Sequence, residues 1–277
     1  MGAKGIDGTS VEIIEGPPRG RVTHAVLDLD GTISLLRDGW QDHMVPLMVE
    51  VLEECPRHES REELERLVID FVDHLTGKQT IYQMIRLREE VEKRGGRPRE
   101  SLEYKTEYYE RLNRALEERL QGLREGRLSP EDYLLPGSRC FLHDLNRRGV
   151  TCTLASGTDV DYVKDEAELL DVAKYFRGGI FGALAKHREF SKEMVIRKIL
   201  ADFEVAGPDL LVVGDGYVEI ENARSAGAVA FGIFSEENNR YHMNADKRQR
   251  LIRAGAHFLA PDLQDASAVL ESLGVGS

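Results

Sequence analysis

Asp28 and Asp30 stand one residue apart at the end of the apolar run His24-Ala25-Val26-Leu27, and Gly31-Thr32 follows them. Two carboxylates this close repel each other unless a cation or a shared proton intervenes, so the spacing points to Mg²⁺ binding or to acid–base chemistry. An acidic turn closing a strand is the plain alternative. Two further polar clusters end apolar runs downstream: Ser156-Gly157-Thr158, and Gly214-Asp215 with Glu219. Asp215 would add a third carboxylate, making the oxygen-rich surroundings that Mg²⁺ prefers. Ser156 and Gly157, at an expected helix start, offer a hydroxyl and backbone N–H groups to an anion, as Thr32 does after Gly31, or else serve as an ordinary N-cap. A phosphate between Mg²⁺ and these donors keeps excess negative charge and requires a lysine. Lys192, at a helix start after Ser191, is the choice; Lys186 on the preceding loop is the rival.

Side chains so far apart in sequence meet only if their elements deliver them to one edge. Residues 22–29 read as a buried strand, stopped by the Gly turn. From residue 138 onward strands near 150–155, 179–184, 210–213, 228–234 and 257–259 alternate with helices near 139–148, 160–170, 192–203, 219–226 and 245–254. That alternation implies a parallel sheet with helices on both faces, whose C-terminal strand ends share one edge, where open α/β sheets keep their ligands. The intervening stretch is helical throughout, with a capping box at Ser60-Arg61-Glu62-Glu63 and apolar stripes at helical spacing. The expected fold class is therefore α/β, a Rossmann-like doubly wound parallel sheet with an all-α insertion after its first strand. Residues 21–34 and 136–277 form the core, 35–135 the helical insertion, and 1–20, rich in Gly and Pro, a loosely ordered lead-in.

A formal charge of −12 with no local basic face argues against a nucleic-acid partner. No apolar segment approaches the roughly 20 residues that span a bilayer, so no membrane association is expected. Cys55, Cys140 and Cys152 are widely spaced and form no C-x-x-C pair. They fit a reducing compartment without a zinc site, and a cytoplasmic location is expected.

With four clusters in this order on these elements, the sequence is similar to the haloacid dehalogenase (HAD) superfamily. Asp28-Leu29-Asp30-Gly31-Thr32 matches its first motif, Ser156 the second, Lys192 the third and Gly214-Asp215-x-x-x-Glu219 the fourth. The resemblance implies that Asp28 attacks phosphorus to form a phosphoaspartate, and that Asp30 protonates the leaving oxygen and then deprotonates water. It further implies that Asp28, the Asp30 backbone carbonyl and Asp215 bind Mg²⁺. Thr32, Ser156 and Lys192 would hold the phosphoryl oxygens, and Glu219 would orient Lys192 or the metal's waters. The insertion resembles the family's cap domain.

Within the insertion, Thr76-Gly77-Lys78-Gln79-Thr80 breaks the apolar rhythm with a cationic, amide-bearing turn. Lys78 and Gln79 there could grip a substrate, or simply form a solvated helix cap. Trp40 and Arg37 could line the entrance, or pack between core and cap. The expected function is Mg²⁺-dependent hydrolysis of a small phosphorylated metabolite, a sugar phosphate, polyol phosphate or phosphoglycolate-like acid. The alternatives are a phosphomutase resembling β-phosphoglucomutase, which the same residues would serve, and a non-catalytic phospholigand-binding module.

Overall fold

A computed structural model of the chain describes residues 4–184, 190–236 and 239–276. Its main sheet contains β1 (Lys4–Gly5), β2 (Glu12–Ile13), β3 (His24–Leu27), β4 (Thr151–Asp159), β5 (Ile180–Ala183), β6 (Leu210–Gly214), β7 (Val229–Ile233) and β10 (Phe258–Ala260). The strand order is β1-β2-β10-β7-β6-β3-β4-β5. β8 (Ser235–Glu236) and β9 (Asn239–Met243) form a separate antiparallel pair. β3 runs parallel to both neighbours, with Ala25 opposite Cys152 of β4 and Leu211 of β6. The chain continues from β3 to β4 and β5 on one side, then returns to β6 and β7 on the other. The order therefore reverses at β3, and the crevice outside its carboxyl end is the topological switch point.

Alternation along the strands divides the core into two layers. Ala25, Leu27, Leu211 and Val213 face one layer with α5 (Ser138–Arg147), α6 (Val160–Leu169) and α10 (Ser267–Ser272). Val26, Leu210 and Val212 face the other with α7 (Lys192–Asp202), α8 (Tyr217–Ser225) and α9 (Ala245–Ala254). The insertion after β3 folds as α1 (Gln41–Glu53), α2 (Arg61–Leu75), α3 (Thr80–Lys93) and α4 (Ser101–Arg124), around its own buried cluster. The expected capping box opens α2: the Ser60 side chain accepts from the Glu63 N–H, and Glu63 accepts from the Ser60 N–H at 3.1 Å. Leu64, Val68, Phe71 and Val72 then bury one stripe of that helix.

Two expectations are corrected. Part of the segment before residue 21 belongs to the sheet: β2 pairs antiparallel with β10, β1 extends the edge, and Val11 is fully buried. Two-residue strands carry no periodicity, which hides them among the glycines and prolines. The polar turn expected after residue 155 is instead the extended end of β4, with a register shift against β5. The Thr158 N–H donates to the Ser156 hydroxyl at 3.1 Å within this extended end, and helix α6 begins at Val160, where it was expected. Ser156 and Gly157 therefore do not form a helix N-terminus.

Candidate active site

β3 and β6 end side by side, locked by the Asp28 N–H donating to the Val213 carbonyl at 3.0 Å. This brings Asp28 and Asp215 to the switch point, both buried. Gly31 makes the approach possible. It sits at φ +74°, and a Cβ there would collide with the Asp215 carboxylate.

Lys192, first residue of α7 behind the N-cap Ser191, reaches into the crevice. Its Nζ lies 2.9 Å from Asp28 Oδ1 and contacts Glu219 Oε1 of α8, with all three side chains buried. Burial opposes the Lys192 charge, but the two carboxylates outweigh it and hold the ammonium above its ordinary pKa. Burial pushes Asp28 up, Lys192 draws it down, and Glu219, Asp215 and Asp30 add repulsion; the net direction is upward. Lys186, the rival lysine, lies outside the described residues.

Asp30 is held differently. Its Oδ2 accepts from the Thr158 hydroxyl at 3.0 Å and the Ser156 hydroxyl at 3.2 Å. Its Oδ1 lies 3.9 Å from Arg37 Nε. Arg37 is itself buried and gripped by Glu166 of α6, with Nη2 at 2.6 Å and Nε at 3.0 Å from Oε1. The Asp30 carboxylate thus has hydroxyl donors of its own, distinct from the ammonium that Asp28 faces, which gives the two acids different surroundings.

The insertion covers this edge. Lys105 Nζ of α4 lies 2.5 Å from Asp159 Oδ1, and the Tyr217 hydroxyl donates to the His74 carbonyl at 2.6 Å. A Cβ on Gly157 would stand 2.8 Å from the Lys78 carbonyl, so the turn before α3 rests directly on the end of β4. A single cleft is lined by Asp28, Asp30, Ser156, Gly157, Lys192 and Asp215 from below and by Arg37, Trp40, Lys78, Gln83 and Tyr109 among those above.

Two expected residues stand elsewhere. Gln79 is outside the wall of that cleft: its amide donates to the Phe190 carbonyl at 2.6 Å and fastens the turn to the core. Thr32 is fully buried and also absent from the cleft wall, since the tight turn, with the Thr32 N–H returning to the Leu29 carbonyl, draws it behind the surface. Three contributions were not expected. Thr158 donates to Asp30, Arg37 approaches it, and Lys247 of α9, 7% exposed, places Nζ 2.8 Å from Asp215 Oδ2. Lys247 follows Asp246 and precedes Arg248 on a charged helix, and no spacing distinguishes it.

Five carboxylates, Asp28, Asp30, Asp215, Glu219 and Glu166, face three cationic groups, Lys192, Lys247 and Arg37, leaving two formal negative charges in excess. Among the described residues no three acids, histidines or cysteines form a closed metal cage. Carboxylate and carbonyl oxygens with a twofold charge excess fit a hard divalent cation that retains water, the usual state of Mg²⁺.

A family model described as haloacid dehalogenase-like hydrolase matches residues 22–227. The fold is similar to a predicted phosphoglycolate phosphatase from Haemophilus somnus, with TM-score 0.61 and 16% identity over 90% of this chain and 98% of the other. It is similar to a β-phosphoglucomutase from Clostridium difficile, with TM-score 0.62 and 15% identity over 91% and 97% of the two chains. A HAD family hydrolase from Deinococcus radiodurans with bound phosphate and sodium aligns at TM-score 0.56 and 16% identity over 92% and 97%. No curated protein matches the sequence. At these identities the structural likenesses are likenesses of fold. Among the described residues no helix is long and apolar enough to cross a membrane.

Proposed function

We propose, on the premise that the chain belongs to the haloacid dehalogenase-like hydrolases, that it hydrolyses a small phosphomonoester through a phosphoaspartate at Asp28. The observation that carries this reading is the separation of the paired acids. Asp28 is buried against the Lys192 ammonium, while Asp30 is bound by two hydroxyls and faces the cleft.

Asp28 would attack phosphorus as the bond to the leaving oxygen breaks, and Asp30 would act as the acid that gives that oxygen its proton. Asp30 would then take a proton from water as the water oxygen attacks the phosphoaspartate, releasing phosphate and restoring Asp28. Lys192, oriented by Glu219, would neutralise phosphoryl oxygens, with Ser156 and the Gly157 backbone beside them. Asp28, Asp215 and the Asp30 carbonyl would hold Mg²⁺, which supplies charge stabilisation when bound. The covering helices act as a cap that excludes bulk water.

Replacing Asp28 by Asn is expected to abolish phosphate release from an aryl phosphate in the presence of Mg²⁺. Retained turnover in that variant would overturn the mechanism. The closed cap also suits transfer to a sugar hydroxyl instead of water; isomerised sugar phosphate appearing without free phosphate would mark a mutase.

A further inference from the structure

Gln83 lies on α3, one turn beyond Thr80, and is 4% exposed. Its side chain lines the cleft that contains Asp28 and Lys192, and among the described residues its amide has no hydrogen-bond partner. With no protein partner, the amide is left to hydrogen-bond water or a molecule held in the cleft it lines. Leu87, one turn further along the same face, and Met84 beside Gln83 pack into the insertion's core, while Thr80, one turn back, also lines the cleft.

The cationic groups around the roof of the cleft are already matched. Arg37 is held by Glu166, and Lys105 by Asp159. A substrate carboxylate placed beside them would meet the paired acids as well as the cations, and would be desolvated without a new counter-charge. Lys78 also lines the cleft, but it is exposed, and its carbonyl rests on Gly157 at the phosphoryl end. The covering side of the same cleft presents an amide, which offers two donors and one acceptor, together with the aromatic residues Tyr108 and Trp40. Hydroxyl groups both donate and accept and carry no charge, and the apolar faces of a carbon skeleton pack against aromatic rings.

We propose that Gln83 is a specificity-determining residue that recognises hydroxyl groups, and that the alcohol released from the phosphomonoester is an uncharged polyhydroxy compound rather than a carboxylate. The inference rests on the phosphatase reading above and selects among its substrate classes. A site built to hydrogen-bond a hydroxyl discriminates strongly against an analogue that leaves its polar group unpaired.

The test is equilibrium binding by calorimetry in the Asp28→Asn background, where turnover does not obscure affinity. The probes are glucose 6-phosphate, glycerol 3-phosphate and 2-phosphoglycolate. The hydroxylated esters are expected to bind about tenfold or more tightly than phosphoglycolate, and Gln83→Leu is expected to erase that preference. Gln83→Glu, nearly isosteric and so a safeguard against misfolding, should widen it by repelling the carboxylate. Tighter binding of phosphoglycolate, no binding of any probe, or a preference unchanged in both well-folded variants would overturn the proposal. If discrimination is found but the wild-type protein releases phosphate from none of these esters nor from an aryl phosphate, the hydrolase reading fails while the recognition by Gln83 stands.

Discussion

The Lys247 ammonium lies 2.8 Å from Asp215 Oδ2, so a carboxylate proposed to hold the metal already has a cation of its own. An ammonium in this position opposes a second cation on the same carboxylate, and within a buried site that repulsion is weakly screened. Lys247→Met is expected to tighten Mg²⁺ binding about tenfold, read as a dissociation constant by titration calorimetry. Unchanged or weaker binding would instead make Lys247 the strut that keeps Asp215 in place.

Gly31 is strained territory for any other residue. Gly31→Ala adds about 1–2 kcal/mol of backbone cost at positive φ, and its methyl group must displace Asp215. Divalent-cation affinity should fall, and phosphate release should drop by roughly 100-fold, the usual consequence of misplacing a reacting group by about an ångström. Circular dichroism should remain that of an α/β protein, which separates a local displacement from unfolding.

Arg37 and Glu166 form a buried pair, and the guanidinium also lies 5.4 Å from the ring centre of Tyr162 and 5.8 Å from that of Tyr109. Removing one partner strands the other charge. Glu166→Leu or Arg37→Met alone should each cost about 3–5 kcal/mol in urea unfolding, and the double variant markedly less. Costs that simply add would show that the two side chains act independently.

His257 supplies a pH dependence of stability. Burial, followed by repulsion from Arg224, lowers its pKa to about 4, and its Nδ1 accepts from the Ala230 N–H at 2.9 Å. The folded state therefore resists protonation of a ring that the unfolded chain protonates near its ordinary value of about 6.5. The contribution is fully present above about pH 6.5 and is lost progressively as pH falls toward 4. The melting temperature should decline between pH 7 and pH 5, and less steeply in His257→Asn, even if that variant starts lower. Parallel slopes in the two proteins would assign the acid sensitivity elsewhere.

The strand-end acids were readable because each cluster ends an apolar run, and a parallel sheet must bring those ends to one edge. Lys192 was readable for a similar reason, standing at a helix start immediately behind its N-cap. Other parts of the site have no local signature. Lys247 is one charge among several on α9, singled out only when the helix packs against α8 and β7. Gln79 was read from its turn as a substrate contact or a helix cap, and its bond to the Phe190 carbonyl had no signal, being to a backbone group 111 residues away. The hydroxyls of Ser156 and Thr158 were placed near the site, but their common acceptor, Asp30, emerges only from the irregular end of β4. Gln83 left no trace either, since Gln79, Thr80 and Arg86, one turn away on the same helix, are polar too, and the helix also buries Glu90.

The position of β3 also governs the order in which the molecule can assemble. It lies inside the sheet, yet its partners begin at Thr151 and Leu210, far along the chain. The helices α1–α4 contain mostly neighbouring contacts, with α1 against α2 and α3 against α4. Local contacts of this kind form quickly, whereas joining β3 to β4 must close a long loop first. Once folded, the insertion brings the flanking segments together, since Ser34 bridges to Leu134 and the Leu135 N–H donates to the Ile33 carbonyl at 3.0 Å. The helical block thus shortens the search for the partner strand, serving as a clamp during folding before it serves as a cover over the finished site.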